Sequence, residues 1–303
     1  MKSFAIVGAG AVGCYYGARL AEAGNDVRFL LRSDFEHVSV HGMKIQSIHG
    51  DFELPRVTCA KSPEEIGKVD VVIVAWKTTS NPLYEEVIRP MLREDSLVLT
   101  LQNGLGNIEA LSEIFGTDRV LGALCFVCIN RIAPGDIRHT GGGPIAMGEV
   151  TPGITERLKE LAEIFEEAKV ECQIVENLGE AQWQKLVWNI PFNGLCITEG
   201  GLDTQILLEL PEGDSKVRAL MGEVILAANT LGFQIEDEYA EVQMQRTYPM
   251  GRYRPSSMID FVEGREVEVE AIWGEPLRRA QEAGASVPLI KELYETICSL
   301  TGK

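Results

Sequence analysis

The chain has 303 residues, of which 45% are hydrophobic and 24% are charged, a balance typical of globular proteins and not of disordered or collagen-like chains. Its 28 Lys and Arg residues against 45 Asp and Glu residues give a formal net charge of −17. An acidic surface repels nucleic-acid phosphates and anionic lipids, so we expect neither nucleic acid nor a membrane as a partner.

The apolar segments and the cysteines indicate the compartment. No apolar run approaches the roughly 18 residues that a membrane helix needs, and the run after Lys2 is too short for a signal peptide. Seven scattered cysteines, an odd number, argue against a disulfide framework. Cys125 and Cys128 lie in an apolar, strand-like stretch, where an odd separation turns their side chains to opposite faces. We therefore expect a cytoplasmic protein without a metal site.

The first elements form a βαβ unit. Residues 2–7 are an apolar strand, a glycine-rich turn follows at Gly8–Gly13, a helical pattern ends at Gly24, and Val27–Leu31 is a second strand. Three such elements within about 30 residues are typical of a nucleotide-binding fold.

The same alternation continues along the chain. Strands are expected at 69–75 and 96–101, and helices at 82–92 and 105–115. Residues 43–60 resemble an antiparallel insertion with its turn at 49–51. Further predicted elements are strands at 120–129, 137–140 and 145–148, a turn at 141–143, a helix at 154–168 and a strand at 170–175.

After about residue 175 only helical spacing remains, at 180–190, 215–231, 257–263 and 266–283. The sequence therefore predicts two domains. An α/β, Rossmann-type dinucleotide-binding domain spans residues 1–175. An all-α substrate and catalytic domain spans residues 176–303.

The motif Gly8-x-Gly10-x-x-Gly13 lies between the first strand and the first helix, the context in which it binds a dinucleotide. The first glycine permits a tight turn, the second admits a pyrophosphate, and the third allows close helix–strand packing. The pyrophosphate is then expected on the free N–H groups at the helix start, around Ala11 and Val12.

Arg32 decides which dinucleotide is expected. An NAD-binding protein usually has an acidic residue at the end of the second strand, whereas this chain has Arg32, which suits the 2′-phosphate of NADPH. The nearby Asp34 weighs against this choice. Lys77 and Asn103 follow two further strands, and ligands of open parallel sheets bind beyond the carboxyl ends of strands.

The helical half carries a second set of candidates. Lys185, Asn189 and Asn193 are four residues apart and share a helix face, although Pro191 should kink that helix near Val187. An amphipathic helix with a polar stripe is the simpler alternative.

Ser257 and Asp260 fit a capping box, which would give Ser257 a purely structural role. Gly264 can end that helix, and Glu268 then falls near the start of the next one. Because Glu266 and Glu270 flank Glu268, the spacing alone does not single it out.

Together these residues resemble the ketopantoate reductase (2-dehydropantoate 2-reductase) family, over essentially the whole chain. The order and separation of the shared blocks are specific, whereas the glycine motif alone is not. The blocks are Val7-Gly-Ala-Gly-Ala-Val-Gly13, Val74-Ala-Trp-Lys77, Gln102-Asn-Gly-Leu-Gly106, Trp183-Gln-Lys185-Leu-Val-Trp-Asn189-Ile-Pro-Phe-Asn193, Ser256-Ser-Met-Ile-Asp260, Gly264-Arg265 and Glu268.

The resemblance implies NADPH-dependent reduction of ketopantoate, a small 2-oxo acid, to pantoate in pantothenate and coenzyme A synthesis. It implies that Lys185 is the general acid and that Glu268 assists it and the substrate. By the same resemblance, the residues that contact substrate are Asn103, Lys185, Asn189, Asn193 and Ser257. Arg32, Lys77 and Asn103 fall at cofactor-side positions. Pro191 and Arg254 depart from the family pattern, which leaves the fine specificity for the substrate open.

Two alternatives remain at this stage. One is another two-domain NADP-dependent dehydrogenase, acting on a hydroxyacid or a polyol phosphate. The other is a non-enzymatic NADPH-binding regulator, which would need the glycine turn and Arg32 but neither Lys185 nor Glu268. The sequence leaves the oligomeric state open, with a homodimer through the helical domain as one option.

Overall fold

The computed structural model describes residues 2–303, which form two compact units. The first unit comprises the chain up to Gln102 together with Asn107–Leu178. The second comprises Asn103–Gly106 and Gly179–Lys303. A four-residue loop from the first half of the sequence is thus part of the helical unit.

The first unit is built on one mixed sheet. Six of its strands are parallel, in the order β5-β2-β1-β6-β7-β8. This is the strand order of a Rossmann fold, with its topological switch at β1. The sheet continues through β9, β3 and β4, and β10 also pairs with β9. The strands are β1 Ser3–Val7, β2 Asp26–Leu30, β3 Met43–Ser47, β4 Phe52–Leu54, β5 Thr58–Ala60, β6 Val69–Val74, β7 Leu92–Thr100, β8 Val120–Ala133, β9 Asp136–Glu149 and β10 Cys172–Ile174.

Helices cover both faces of the parallel strands, which explains why β1 and β6 are almost continuously apolar, apart from Ser3 and Asp70. Phe4 and Ile6 belong to the hydrophobic core on one face, and Ala5 and Val7 belong to the core on the other. The helices are α1 Ala11–Glu22, α2 Phe35–His41, α3 Pro63–Ile66, α4 Tyr84–Ile88, α5 Asn107–Phe115 and α6 Glu156–Glu167, with 3₁₀ turns at Thr78–Leu83, Arg89–Met91 and Thr117–Arg119.

The strands after residue 120 differ from the prediction. The turn expected at 141–143 is wrong, because these glycines lie inside the long strand β9, which pairs antiparallel with β8. A bulge opposite Cys125–Val127 takes up the extra residue. Gly142 has φ +67°, and a Cβ there would lie 2.1 Å from the Phe126 carbonyl oxygen. The glycines therefore serve the bulge and not a turn.

The expected antiparallel insertion at 43–60 is correct only in its first part. β3 and β4 pair antiparallel, as predicted, but β5 pairs parallel with β2 at the edge of the sheet. Helix α2 was not anticipated.

From Gly179 to Lys303 the second unit contains helices joined by loops and has no strand. Helix α7 runs unbroken through Pro191 and is bordered by buried side chains such as Trp183, Val187 and Ile190. Leu105, from the four-residue loop, packs in the same core. The elements are α7 Leu178–Thr198, α8 Thr204–Glu209, α9 Gly213–Thr230, α10 Tyr239–Thr247, a 3₁₀ turn Tyr248–Met250, α11 Ser256–Val262, a π-helical turn Glu270–Gly274, α12 Glu275–Glu282 and α13 Pro288–Thr301.

The predicted fold class is therefore confirmed: an α/β, Rossmann-type region is followed by an all-α C-terminal region. Across residues 2–303, no helix combines the length and apolar character needed to cross a membrane.

An ion pair between the buried Glu149 carboxylate and the partly exposed Arg157 stabilises the end of β9. The Glu149 carboxylate is 5% exposed and accepts hydrogen bonds from Arg157 and from Thr155. Burial alone would raise the pKa of Glu149, but the hydrogen bonds from Arg157 and Thr155 outweigh it and lower that pKa below its ordinary value.

We expect Glu149→Gln to lower the Tm by roughly 3–10 °C at pH 7, since a hydrogen bond to a charged group contributes about 1.5–3 kcal/mol. The folded-state pKa is lowered, so this stabilisation is present above the ordinary carboxyl pKa and is lost as the pH falls through the folded value. Thermal unfolding should show the Tm difference shrinking below about pH 4. Glu163→Gln, on the exposed side of α6, is the control. A Tm difference independent of pH would contradict this account.

Candidate active site

Four strand ends lie in register at one edge of the sheet. Leu30 of β2 pairs with Val7 of β1, Val7 pairs with Val74 of β6, and Val74 pairs with Thr100 of β7. The segments that leave these ends carry, in the same order, Arg32, the glycine turn, Lys77 and Asn103. The switch point between β1 and β6 is where ligands of such sheets bind.

The glycine turn has the geometry of an anion site. A Cβ on Gly8, whose φ is +87°, would lie 2.1 Å from the Trp76 backbone nitrogen, and a Cβ on Gly13 would lie 2.5 Å from the Gly8 carbonyl oxygen. Above Gly10 there is open space for 4 Å. No side chain caps α1, so the amides of Ala11 and Val12 at its start are available to a ligand.

The turn after β2 contains one exposed cation, Arg32, and one buried anion, Asp34. Arg32 is exposed, and within residues 2–303 its guanidinium forms no ion pair or hydrogen bond. Asp34 is buried, accepts a hydrogen bond from Ser33 Oγ at 2.9 Å and pairs with Arg131 at 2.8 Å. The Asp34 carboxylate, which weighs against NADPH in the sequence, is therefore bonded to another residue of the protein.

Lys77 is half-buried and lies directly before the 3₁₀ turn that follows β6. Its carbonyl oxygen accepts the Ser80 N–H at 2.9 Å. The backbone on both sides of Lys77 is thus fixed, by Gly8 against Trp76 and by this turn.

In the helical unit, the loop Asn103–Gly106 brings three predicted segments together. Lys185 Nζ donates a hydrogen bond to Asn103 Oδ1 at 2.8 Å. The Leu105 N–H donates to the Ala271 carbonyl at 2.9 Å, three residues after Glu268. Gly104 has φ +79°, and a Cβ there would lie 2.2 Å from the Ala271 oxygen, so this approach requires glycine.

Glu268 is half-buried and precedes the π-helical turn Glu270–Gly274. In this turn the Glu275 N–H bonds to the Glu270 carbonyl, five residues back. Pro276 has no N–H to offer to Ile272, which favours the wider turn. The expectation that Glu268 lies near the start of a helix is met.

Three of the residues predicted to contact substrate, Asn189, Asn193 and Ser257, differ in the hydrogen bonds that their side chains make. Asn193 is buried, its Oδ1 accepts the Ser257 N–H at 3.0 Å, and its Nδ2 donates to the Asn189 carbonyl at 3.1 Å. In contrast, the Asn189 amide and the Ser257 hydroxyl make no hydrogen bond to any other residue of the described chain. Asn189 and Ser257 therefore retain capacity for a ligand, and Asn193 holds them together.

The capping box predicted for Ser257 is wrong. Helix α11 begins at Ser256, so Ser257 lies inside the first turn, and Asp260 pairs with Arg265 at 2.8 Å. The Ser257 N–H has no acceptor within its own helix, and it donates a hydrogen bond to Asn193 Oδ1 of helix α7 instead. Gly264, with φ +66°, ends the helix as predicted.

A polar network around the Asn103 loop was missed. Tyr84 Oη donates to Gln102 Oε1 at 2.5 Å, Gln102 Nε2 donates to Asn81 Oδ1 at 2.8 Å, and Asn81 Nδ2 donates to Asn107 Oδ1 at 2.8 Å. Gln102 and Asn107 flank the loop, so both of its ends are tied to Asn81. The position of Asn103 after a strand predicts a role for this residue, but no sequence pattern links it to Asn81 or Tyr84.

The cysteines and histidines of residues 2–303 form neither a disulfide nor a metal-binding cluster. None of the seven cysteines forms a disulfide, and burial raises the pKa of the Cys14 thiol to about 12. No group of three or more metal-ligating side chains occurs in the part of the chain from residue 2 onward. Cys125 and Cys128 both lie on β8, as the apolar pattern predicted.

Asn193→Ala should lower the free energy of unfolding by about 1–3 kcal/mol, because it leaves the buried Ser257 N–H without an acceptor. Asn189→Ala, one helical turn earlier, is the matched control, since only its backbone oxygen is used by Asn193. Urea unfolding of both variants measures the difference. Equal losses in the two variants would show that Asn193 does not act as this cap.

The chain is similar to known proteins over nearly its whole length. The family model described as "Ketopantoate reductase PanE/ApbA" matches residues 4–152, and the model for the family's C-terminal domain matches residues 177–300. A 2-dehydropantoate 2-reductase from Nostoc sp. strain PCC 7120 is 40% identical over 307 residues, covering 100% of this chain and 96% of the relative.

Two solved structures have the same fold along their whole length. A 2-dehydropantoate 2-reductase from Geobacter metallireducens GS-15 has a TM-score of 0.95 and 45% identity, with 99% of both chains covered. A 2-dehydropantoate 2-reductase from Methylococcus capsulatus has a TM-score of 0.91 and 32% identity, with 99% of this chain and 98% of that chain covered. The resemblance in the sequence is thus confirmed, and the chain belongs to the ketopantoate reductase family.

Proposed function

We propose that this chain reduces 2-dehydropantoate (ketopantoate) to pantoate with NADPH, a step of pantothenate and coenzyme A synthesis. The proposal rests on one observation above the others, the 2.8 Å hydrogen bond that fixes the Lys185 ammonium on Asn103. Membership of the family and the 40% identity to a 2-dehydropantoate 2-reductase support the choice of reaction. The enzyme is then an oxidoreductase that acts on a CH–OH group.

The residues of the glycine turn fit the cofactor. The open space above Gly10, the uncapped start of α1 and the exposed Arg32 suit a pyrophosphate and a 2′-phosphate. When bound, NADPH supplies the hydride that reduces the keto carbon. The residues proposed to hold it are Gly8, Gly10, Ala11, Val12, Gly13, Arg32, Lys77 and Asn103.

Lys185 is the proposed general acid. As the keto carbon is reduced, negative charge develops on the carbonyl oxygen, and the ammonium stabilises this charge and donates the proton that completes the hydroxyl. The Asn103 amide oxygen is uncharged, so it orients the ammonium without neutralising it. Glu268, three residues before the Ala271 carbonyl that anchors the loop, is proposed to assist Lys185 and the substrate.

The substrate is a carboxylate, and the protein carries a formal net charge of −17. Binding therefore requires local hydrogen-bond donors and a cation to offset the general repulsion. The Asn189 amide, the Ser257 hydroxyl and Lys185 supply them. Asn193 contributes by fixing Ser257 relative to Asn189, and its second amide hydrogen adds a further donor.

The direct test is NADPH oxidation in the presence of ketopantoate, compared with other 2-oxo acids at matched concentrations. We expect ketopantoate to give the highest kcat/KM. Absence of ketopantoate-dependent turnover would overturn the proposal, and faster turnover of another 2-oxo acid would reassign the substrate.

Lys185→Ala should reduce kcat by about 10²- to 10⁴-fold, the usual loss when a general acid is removed. The Kd for NADPH should stay nearly unchanged, because the proposed cofactor contacts are made chiefly by other residues. Steady-state kinetics and NADPH titration measure the two quantities. Lys216→Ala, an exposed lysine paired with Glu199, is the control for loss of one positive charge. Retention of more than about a tenth of the rate would eliminate Lys185 as the acid.

Arg32→Ala should raise the Kd for NADPH by about 10- to 150-fold and leave the Kd for NADH almost unchanged, because a hydrogen bond to a charged group contributes about 1.5–3 kcal/mol. Fluorescence titration with each cofactor measures the ratio. Arg56→Ala removes the same charge from another exposed site of the first unit. Equal affinity of the unmodified enzyme for both cofactors would refute the role of Arg32.

A further inference from the structure

The turn after β2 contains two opposite charges within three residues, Arg32 and Asp34. Their environments are unlike: Arg32 is exposed, whereas the Asp34 side chain is 6% exposed and paired with Arg131 at 2.8 Å. Ser33 Oγ donates a further hydrogen bond to the same carboxylate oxygen at 2.9 Å. Arg131 is distant in sequence, 97 residues from Asp34.

Arg131 is held near this turn by the tip of the β8–β9 hairpin. The Gly135 carbonyl accepts the Lys44 N–H at 2.8 Å, which fixes the tip to the start of β3. A Cβ on Gly135 would lie 2.8 Å from the Gly42 carbonyl oxygen and 3.2 Å from Val38, so the tip is in close contact with the end of α2. The Arg131 side chain is 41% exposed, but it extends from a hairpin whose tip is anchored and its guanidinium is bonded to the buried Asp34 carboxylate.

A carboxylate at the end of the second strand of such a fold is the group that selects NAD, because it accepts hydrogen bonds from the ribose hydroxyls and repels a 2′-phosphate. In this chain Arg32 takes that position, and the Asp34 carboxylate lies two residues further on, where it is paired with Arg131. The exposed charge of the turn is then that of Arg32 alone. Two like charges a few ångströms apart repel strongly at a protein surface. If Asp34 were released from Arg131, its carboxylate would therefore weaken the binding of the 2′-phosphate.

We propose that Arg131 is a specificity-determining positioning residue, which sets the preference for NADPH over NADH by holding the Asp34 carboxylate away from the cofactor. The inference rests on the proposed function, and it goes beyond it by making the preference a property of a hairpin distant in sequence. Arg131 acts through Asp34 and not through its own contact with the phosphate.

The test is the Kd of the unmodified chain, of four variants and of one control variant for NADP⁺ and for NAD⁺, measured by calorimetry without substrate. Arg131→Ala should raise the Kd for NADP⁺ by roughly 10- to 30-fold and leave the Kd for NAD⁺ equal or lower. Arg131→Lys keeps the charge and should retain most of the preference. Asp34→Asn should bind NADP⁺ at least as tightly as the unmodified chain.

The double variant Arg131→Ala with Asp34→Asn is decisive, because the arginine has nothing to hold once the carboxylate is removed. Its Kd for NADP⁺ should return to within about threefold of the unmodified value, as expected for two residues that act as one unit. Arg138→Ala, on the same hairpin and bonded to the neutral Gln46, is the control for charge loss without release of an acid. Thermal unfolding of each variant identifies any that fails to fold.

A double variant as weak for NADP⁺ as Arg131→Ala would overturn the inference, since Arg131 would then contact the phosphate itself. An unchanged NADP⁺ to NAD⁺ ratio in a folded Arg131→Ala variant would overturn it as well. Either result leaves the proposed reaction intact. Failure of the unmodified chain to bind either nucleotide would instead remove the proposed function, and this inference with it.

Discussion

The close approach of Gly104 to the Ala271 carbonyl is the constraint on which the candidate catalytic residues depend. It fixes the loop Asn103–Gly106 in the helical unit, where Leu105 is buried and Asn103 meets Lys185. A residue with a side chain cannot replace Gly104, because its φ is positive and its Cβ would overlap the backbone. The conformation of the loop thus depends on backbone packing, and this packing also fixes the position of the Asn103 side chain.

Two ionisable side chains at the candidate site have partners of different charge. Lys185 Nζ donates a hydrogen bond to the uncharged Asn103 amide oxygen, whereas the Asp34 carboxylate is paired with the Arg131 guanidinium. The Asn103 amide orients the Lys185 ammonium without adding charge, and Arg131 compensates the charge of Asp34. The charge of a partner is therefore as important as its distance for the role that we propose for each side chain.

How much was predictable depends on the range of the interaction involved. The apolar strands β1 and β6 and the glycine turn are local patterns, and the sequence predicted them along with the strand ends that carry Arg32 and Lys77. The turn at 141–143 failed because glycine is also the residue of a β-bulge, and only pairing with β8 distinguishes the two. The capping box failed because the Ser257 N–H is satisfied by Asn193, 64 residues away.

The remaining omissions have the same cause. Asn81, Gln102 and Asn107 are joined by hydrogen bonds between residues 21 and 26 positions apart, and Asp34 pairs with Arg131, 97 residues away in the sequence. No periodicity or motif connects such positions, so a single sequence does not contain the signal. The residues that we propose to contact ligands lie in recognisable blocks, whereas those that we propose to position them are scattered along the sequence.

The π-helical turn Glu270–Gly274 has a further consequence for how this family of chains can diversify. A π turn contains one residue more than the α-helical turn it replaces, and each α-helical residue rotates the chain by about 100°. Removing that single residue would restore a regular helix, yet it would also rotate Glu268 by more than a quarter turn relative to α12. Point substitutions here can change chemistry gradually, while an insertion or deletion of one residue changes the direction of a carboxylate in a single step.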